Sequence, residues 1–192
     1  MSKQVLVPIA DGCEEIEAVT IIDTLRRAGA RVTVASCQAD GSMDITASRG
    51  VQLKAECHIE SCGQALYQLI ALPGGMPGAE HLRDCPHLTS LLKAQQKANR
   101  WYAAICASPA IVLSHHGLLD NVKATCYPSF LDELEGAMPQ LGASVVVDQH
   151  KHVITAQGPG NAFSFSFKLI DMLYGKDTYR PIAKQLIADW AL

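Results

Sequence analysis

Short apolar runs of strand length alternate along this chain with stretches of helical period, and glycine- or proline-marked turns separate them. Residues 5–9 make the first run, which passes through the turn 10–13 into a helix over 14–28. Ile16, Val19, Ile22 and Leu25 give that helix an apolar stripe, and Gly29 stops it. A strand over 31–35 follows, and 40–54, rich in turn residues, suits a small hairpin or edge strands. The run 66–72 is again strand-like and leads into Pro73-Gly74-Gly75-Met76-Pro77-Gly78. Helices are expected over 79–83 and 86–98, then a strand up to Cys106, strands over 144–147 and 152–156, a turn over 157–160, and helices to Leu173 and over 178–188. This alternation predicts one α/β domain across residues 1–192, with a mostly parallel sheet covered on both faces. Ligands of such sheets bind beyond the carboxyl ends of the strands. The turns 10–15, 73–78 and 106–108 all lie at such ends and are expected to converge.

Composition narrows the function classes. Apolar residues are 48% and aromatics 6% of the 192, which suits a compact core of aliphatics and alanine. A net charge of -3 and the lack of any Lys/Arg block argue against sequence-specific nucleic-acid binding. No apolar run reaches the roughly 20 residues of a membrane span. The first residues lead straight into a strand-like run, so no signal peptide is expected and the cytoplasm is the expected compartment. Seven cysteines, odd in number and irregularly spaced, do not suggest a disulfide framework there. Cys57-His58 with Cys62, and His81 with Cys85 and His87, lack paired metal-ligand spacing, so no metal is expected. Neither GxGxxG nor a Walker loop occurs, and no cofactor is expected.

"AAICAS", residues 103–108, places Cys106 between a strand and a helix. A nucleophile at the apex of such a turn is the arrangement of the hydrolase elbow, and the small neighbours Ala104, Ala107 and Ser108 suit its crowding. A helix starting just beyond would aim free N–H groups at the sulfur and lower the thiol pKa. A buried, inert core cysteine is the competing reading. Glu17 shares a helical face with Ile21, Thr24 and Ala28. Desolvated there, it would stay protonated and donate to a thiolate, and Glu17→Gln would then raise the thiol pKa. Otherwise it complements the helix dipole, as Glu14 and Glu15 do. The amides of Gly75 and Ala107 could form an oxyanion hole. His115 and His116 lie two to three turns beyond Cys106, His150 and His152 flank a hairpin, and no Cys–His dyad is legible.

Together "DGCEEIEAVTIIDTLRRAGARVTVAS", "SRGVQL", "LPGGMPGAEHLRD", "AAICASPAIVL" and "ITAQGPGNAFSFSFKLIDMLYGK" resemble the ThiJ/PfpI superfamily, in particular its small bacterial, YajL-like branch. The segments cover most of the chain in family order; 126–150 is the weakest stretch. The resemblance implies a flavodoxin-like three-layer sandwich, a homodimer, and an oxidation-sensitive cysteine at the elbow. It gives Cys106 the role of nucleophile, Glu17 that of protonated partner, and Gly75 and Ala107 that of backbone donors. Arg27 and Arg49 match family arginines near the site or dimer surface; ordinary surface charges are the alternative. Relatives are described as glutathione-independent glyoxalases, as deglycases of glycated proteins and nucleotides, and as redox sensors or chaperones. Two departures matter. The protease branch has histidine after its cysteine, where this chain has Ala107, and a human relative has histidine where this chain reads Tyr127 before Pro128. The expectation is therefore cysteine–glutamate chemistry on small 2-oxoaldehydes or early glycation adducts, against a rival reading as an oxidation sensor or holdase.

Overall fold

A computed structural model describes residues 2–192. In chain order the main elements are β1 (Gln4–Ile9), α1 (Glu15–Arg27), β2 (Arg31–Ser36), β3 (Asp44–Thr46), β4 (Gln52–Lys54), β5 (Cys57–His58), β6 (Leu69–Leu72), α2 (Gly78–Arg83) and α3 (Pro86–Lys97). After them come β7 (Trp101–Ile105), a π-wound segment (Pro109–Ser114), β8 (Lys123–Ala124), β9 (Met138–Pro139), β10 (Val145–Asp148), β11 (Val153–Ala156), α4 (Ala162–Tyr174) and α5 (Lys176–Gln185). Short 3-10 turns complete the chain.

Seven strands form one sheet in the order β10-β11-β7-β6-β1-β2-β5, parallel throughout except for the antiparallel edge pair β10–β11. β6 and β11 are buried along their full length, as strands covered on both faces must be. From β1 the chain builds outward through β2 to β5, then returns to the other side of β1 and builds through β6 and β7. Right-handed connections running in opposite directions put α1 and α3 on opposite faces. α4 packs beside α1 to fill that layer. The result is the flavodoxin-like three-layer sandwich. The strand order reverses between β1 and β6, so the carboxyl ends of β1, β6 and β7 face one crevice.

Several sequence expectations shift. The buried side of α1 is Glu17, Ala18, Ile21, Thr24 and Leu25, whereas Ile16 and Val19 of the expected stripe are 56% and 48% exposed. The buried strand β6 begins at Leu69 rather than residue 66, because Gln68 fixes the register: its amide donates to Gln4 O and its Oε1 accepts from Gln4 N. Residues 40–54 do hold a hairpin, β3–β4, in a sheet of its own. Beyond Cys106 the expected ordinary helix is a wide turn, in which the His115 amide reaches back five residues to Ala110 O. Such π-wound segments occur mostly within helices and often at functional sites.

Candidate active site

Three loop pieces meet at the crevice, each carried by a different strand. α1 leaves the β1 loop capped by Glu14, whose Oε2 accepts from the Glu17 amide at 2.8 Å. This fixes the first turn and drives the Glu17 side chain inward, where it is fully buried. Glu17 Oε2 accepts from the Gly74 amide at 2.7 Å, and the Gly74 carbonyl accepts from Glu14 N at 2.9 Å. The glycine pair is required by space. A Cβ on Gly74 would lie 2.5 Å from Cys106 Cβ, and one on Gly75 would lie 2.4 Å from Glu14 N. Gly75 also has φ +89°, a conformation L side chains rarely adopt.

Cys106 follows β7 with φ +65°, a left-handed conformation that costs a non-glycine residue roughly 1–2 kcal/mol and persists only where its surroundings hold it. They do so on both sides. The Cys106 amide donates to Ala156 O at 3.0 Å, and its carbonyl accepts from the Tyr127 amide at 2.7 Å. Ser108 Oγ donates to Pro73 O at 2.6 Å and ties the elbow to the glycine turn. The elbow turns the thiol toward Glu17 and toward the N–H groups of Gly75 and Ala107, so all four residues meet at one sulfur.

Electrostatics reverse one expectation. Burial, and next the charge of Glu17, push the Cys106 thiol up to about 12, while the two amides pull the other way. Desolvation raises Glu17 to about 8, against the opposing Gly74 hydrogen bond. Glu17 Oε1 has no hydrogen-bond partner although it is buried, which favours the neutral acid. At neutral pH the pair therefore rests as carboxylic acid beside thiol. Once Glu17 holds its proton, its charge no longer opposes a thiolate, and its hydroxyl is free to donate to sulfur. The amides alone do not offset desolvation, which is why the turn beyond Cys106 fails to depress the thiol pKa.

The other expected residues separate. Arg49 is exposed, and its backbone N–H bonds Glu15 Oε1 at 2.9 Å near the start of α1. Arg27 lies ten residues beyond Glu17 on α1, about 15 Å along the axis, and pairs with Asp23 at 2.7 Å. The two arginines do not share a place. His116 Nε2 lies 2.9 Å from Arg83 O, and His152 Nδ1 lies 3.0 Å from Asn99 Oδ1. Sequence reasoning missed Ser108, whose partner lies 35 residues away, and the capping role of Glu14. The second was legible, since a polar residue three positions before Glu17 is a helix-start signal. Among the described residues, no His, Cys, Asp and Glu cluster of three or more has metal-binding geometry.

A cysteine held on a left-handed strand-end turn of a flavodoxin-like sandwich, with a neutral carboxyl against its sulfur, marks a cysteine-elbow α/β protein. The model of the DJ-1/PfpI family matches residues 3–172, and the chain belongs to that family. The structure of oxidized Toxoplasma gondii DJ-1 superimposes with a TM-score of 0.93 at 46% identity, covering 98% of this chain and all of that one. Arabidopsis thaliana protein DJ-1 homolog B is 38% identical over 186 residues, 97% of this chain, which spans only 42% of that relative's length. The Caenorhabditis elegans glutathione-independent glyoxalase DJR-1.2 is 32% identical, over 96% of this chain and 95% of that protein.

Proposed function

We propose that this protein is a cysteine-dependent, glutathione-independent glyoxalase acting on methylglyoxal and glyoxal, with early glycation adducts of proteins or nucleotides as deglycase substrates of the same site. The carrying observation is the Glu17–Cys106 pair, one acid and one thiol buried together under two backbone donors. The name of the nematode relative supports the reaction class. Loss of one proton from the pair gives a monoanion, which reacts when its remaining proton sits on Glu17 and the sulfur is left as nucleophile. The sulfur adds to the aldehyde carbon as the C=O π bond breaks, and the oxyanion, held by the Gly75 and Ala107 amides, takes the Glu17 proton to become the hydroxyl of a hemithioacetal. Glu17, now a carboxylate, takes the proton from the former aldehyde carbon and returns it to the adjacent carbon through an enediol. The product is a lactoyl thioester, which water cleaves to lactate and free thiol, with no net oxidation. Ala107, where a histidine base would stand in a protease, suits this reaction better than peptide hydrolysis.

Purified, reduced protein should form lactate from methylglyoxal over many turnovers without glutathione, and Cys106→Ser should abolish it. Lactate formed equally by both proteins would refute the proposal. The rate should climb with pH through about 8, where the pair first ionises.

A redox-sensing chaperone is the second reading, favoured by the oxidised state of the Toxoplasma relative's structure. The same Glu17 proton and amides would hold a sulfinate at Cys106. Ile16, Val19 and Val51, exposed at the α1 end of the crevice, are our candidate homodimer face. Seven free thiols suit a reducing cytoplasm; among the described residues, no helix is long and apolar enough to cross a membrane.

A further inference from the structure

A second cysteine site lies apart from Cys106, in an open cleft of about 560 Å³ between the loop after β2 and the start of α3. Cys37 and Cys85 both line it, with His58, His81 and His87 around them. The backbones carrying the two sulfurs are anchored. Cys37 N donates to Ile9 O at 2.9 Å, extending the β1–β2 ladder, and Cys85 O accepts from Thr89 N at 3.0 Å in the first turn of α3. Cys85 is the N-cap of this 12-residue helix, with Pro86 in its first turn. The amides of His87 and Leu88, its first free donors, face the Cys85 sulfur without closing full hydrogen-bond geometry. Cys37 and Cys85 share a wall of this cleft, and the Cys37 thiol is the neighbour that acts most strongly on the Cys85 sulfur.

The two thiols share one interaction but not one environment. Cys37 meets only burial and its neighbours' sulfurs, which push it well up. Cys85 is drawn down to about 6 despite its burial, chiefly by the neighbouring Cys37 thiol and then by the Leu88 and His87 amides. Cys85 is thus the more acidic of the two, as the attacking member of a peroxide-reactive dithiol must be. Cys57 and Cys62 provide the contrast. Their sulfurs lie 3.7 Å apart, yet burial holds the Cys62 thiol up.

We propose that Cys85 and Cys37 form a peroxide-driven disulfide switch across this cleft, independent of the chemistry at Cys106. Cys85 thiolate attacks one oxygen of hydrogen peroxide, the O–O bond breaks, and Cys85 becomes a sulfenic acid as hydroxide leaves. The Cys37 sulfur, giving up its proton, then attacks the Cys85 sulfur, and the S–O bond breaks to release water. Two thiols and one peroxide yield one disulfide and two waters. The bond would pin the end of β2 to the start of α3 and remove the thiolate from the cleft.

The test uses the full chain as Cys106→Ser, so that oxidation at the proposed catalytic cysteine cannot contribute. The folded, reduced protein is exposed to hydrogen peroxide, its remaining thiols are alkylated, and a non-reducing digest is mapped by mass spectrometry. A linked peptide pair containing Cys37 and Cys85, two hydrogens lighter than the separate peptides and split by reductant, is expected as the dominant product. The same map of Cys37→Ala should show a dimedone-trappable sulfenic acid at Cys85. Full alkylation of both Cys37 and Cys85 after peroxide would overturn the proposal, as would a Cys57–Cys62 link formed while Cys85 stays reduced.

Discussion

Two cysteines in this molecule, Cys106 just after β7 and Cys85 at the N-cap of α3, each receive a pair of backbone N–H groups, yet their acidities move in opposite directions. Cys106 is pushed up to about 12 and Cys85 down to about 6. Both sulfurs are buried, each 8% exposed in the residue, so desolvation alone does not divide them. The neighbour that completes each site does. At Cys106 it is a carboxyl, which repels a thiolate when ionised and supports one when protonated. At Cys85 it is a second thiol, which favours the thiolate. Backbone donors prepare a thiolate site, and the third group decides whether the thiolate is present at rest or arises only after a proton leaves.

The Cys106 site depends first on its geometry. Gly74→Ala should cost about 3 kcal/mol or more in denaturant unfolding, since its Cβ would meet Cys106 Cβ at 2.5 Å and Ile105 O at 2.8 Å; glyoxalase turnover should fall with it. Next comes the carboxyl. Glu17→Gln should reduce lactate formation roughly 10²–10⁴-fold and, contrary to the sequence expectation, shift the thiol titration below about 12 by removing the Glu17 charge. Thiolate ultraviolet absorbance against pH reads that shift. The same variant tests linkage. Glu17 binds its proton more tightly in the folded state, where it is raised from 4.5 to about 8. Its stabilising contribution is therefore complete below 4.5 and is lost as pH rises through about 8. The parent should lose on the order of 5 kcal/mol over that span and the glutamine variant much less, as unfolding at both ends of the span would show.

Smaller effects are expected at Cys85 and at the surface. Cys37→Ala removes the largest influence lowering Cys85, so the pH midpoint of Cys85 alkylation should rise from about 6. Burial of Cys37 makes a stability loss of about 1 kcal/mol the expected accompaniment. Arg27→Ala should change turnover little, and stability by no more than about 0.5 kcal/mol, because its Asp23 pair is an exposed i,i+4 contact.

Periodicity located β1, α1, β2, α3 and β7 to within a few residues, because each carries an apolar pattern set by its own neighbours in sequence. The crevice was legible too, since the turns that form it follow from strand direction. What stayed hidden depends on partners distant in the chain. The desolvation of Cys106 and the grip of Ser108 on Pro73 require β6 and β7 to be paired. Cys85 was read only as a poor zinc ligand, because its partner Cys37 lies on a different loop and no spacing rule joins them. Ile16 and Val19 were placed in the core stripe, although the sheet takes the adjacent face of α1. Residues 126–150 gave little signal, and the short β9 within them pairs only with the equally short β8 just before them.

The hydrogen bond from the Cys106 amide to Ala156 O also orders events during protein synthesis. β7 emerges from the ribosome before β11, its neighbour on one side of the sheet. Until residue 156 has been made, a nascent chain lacks the contact that holds Cys106 in its left-handed turn. The backbone turn that sets this thiol's surroundings is therefore completed only late in translation.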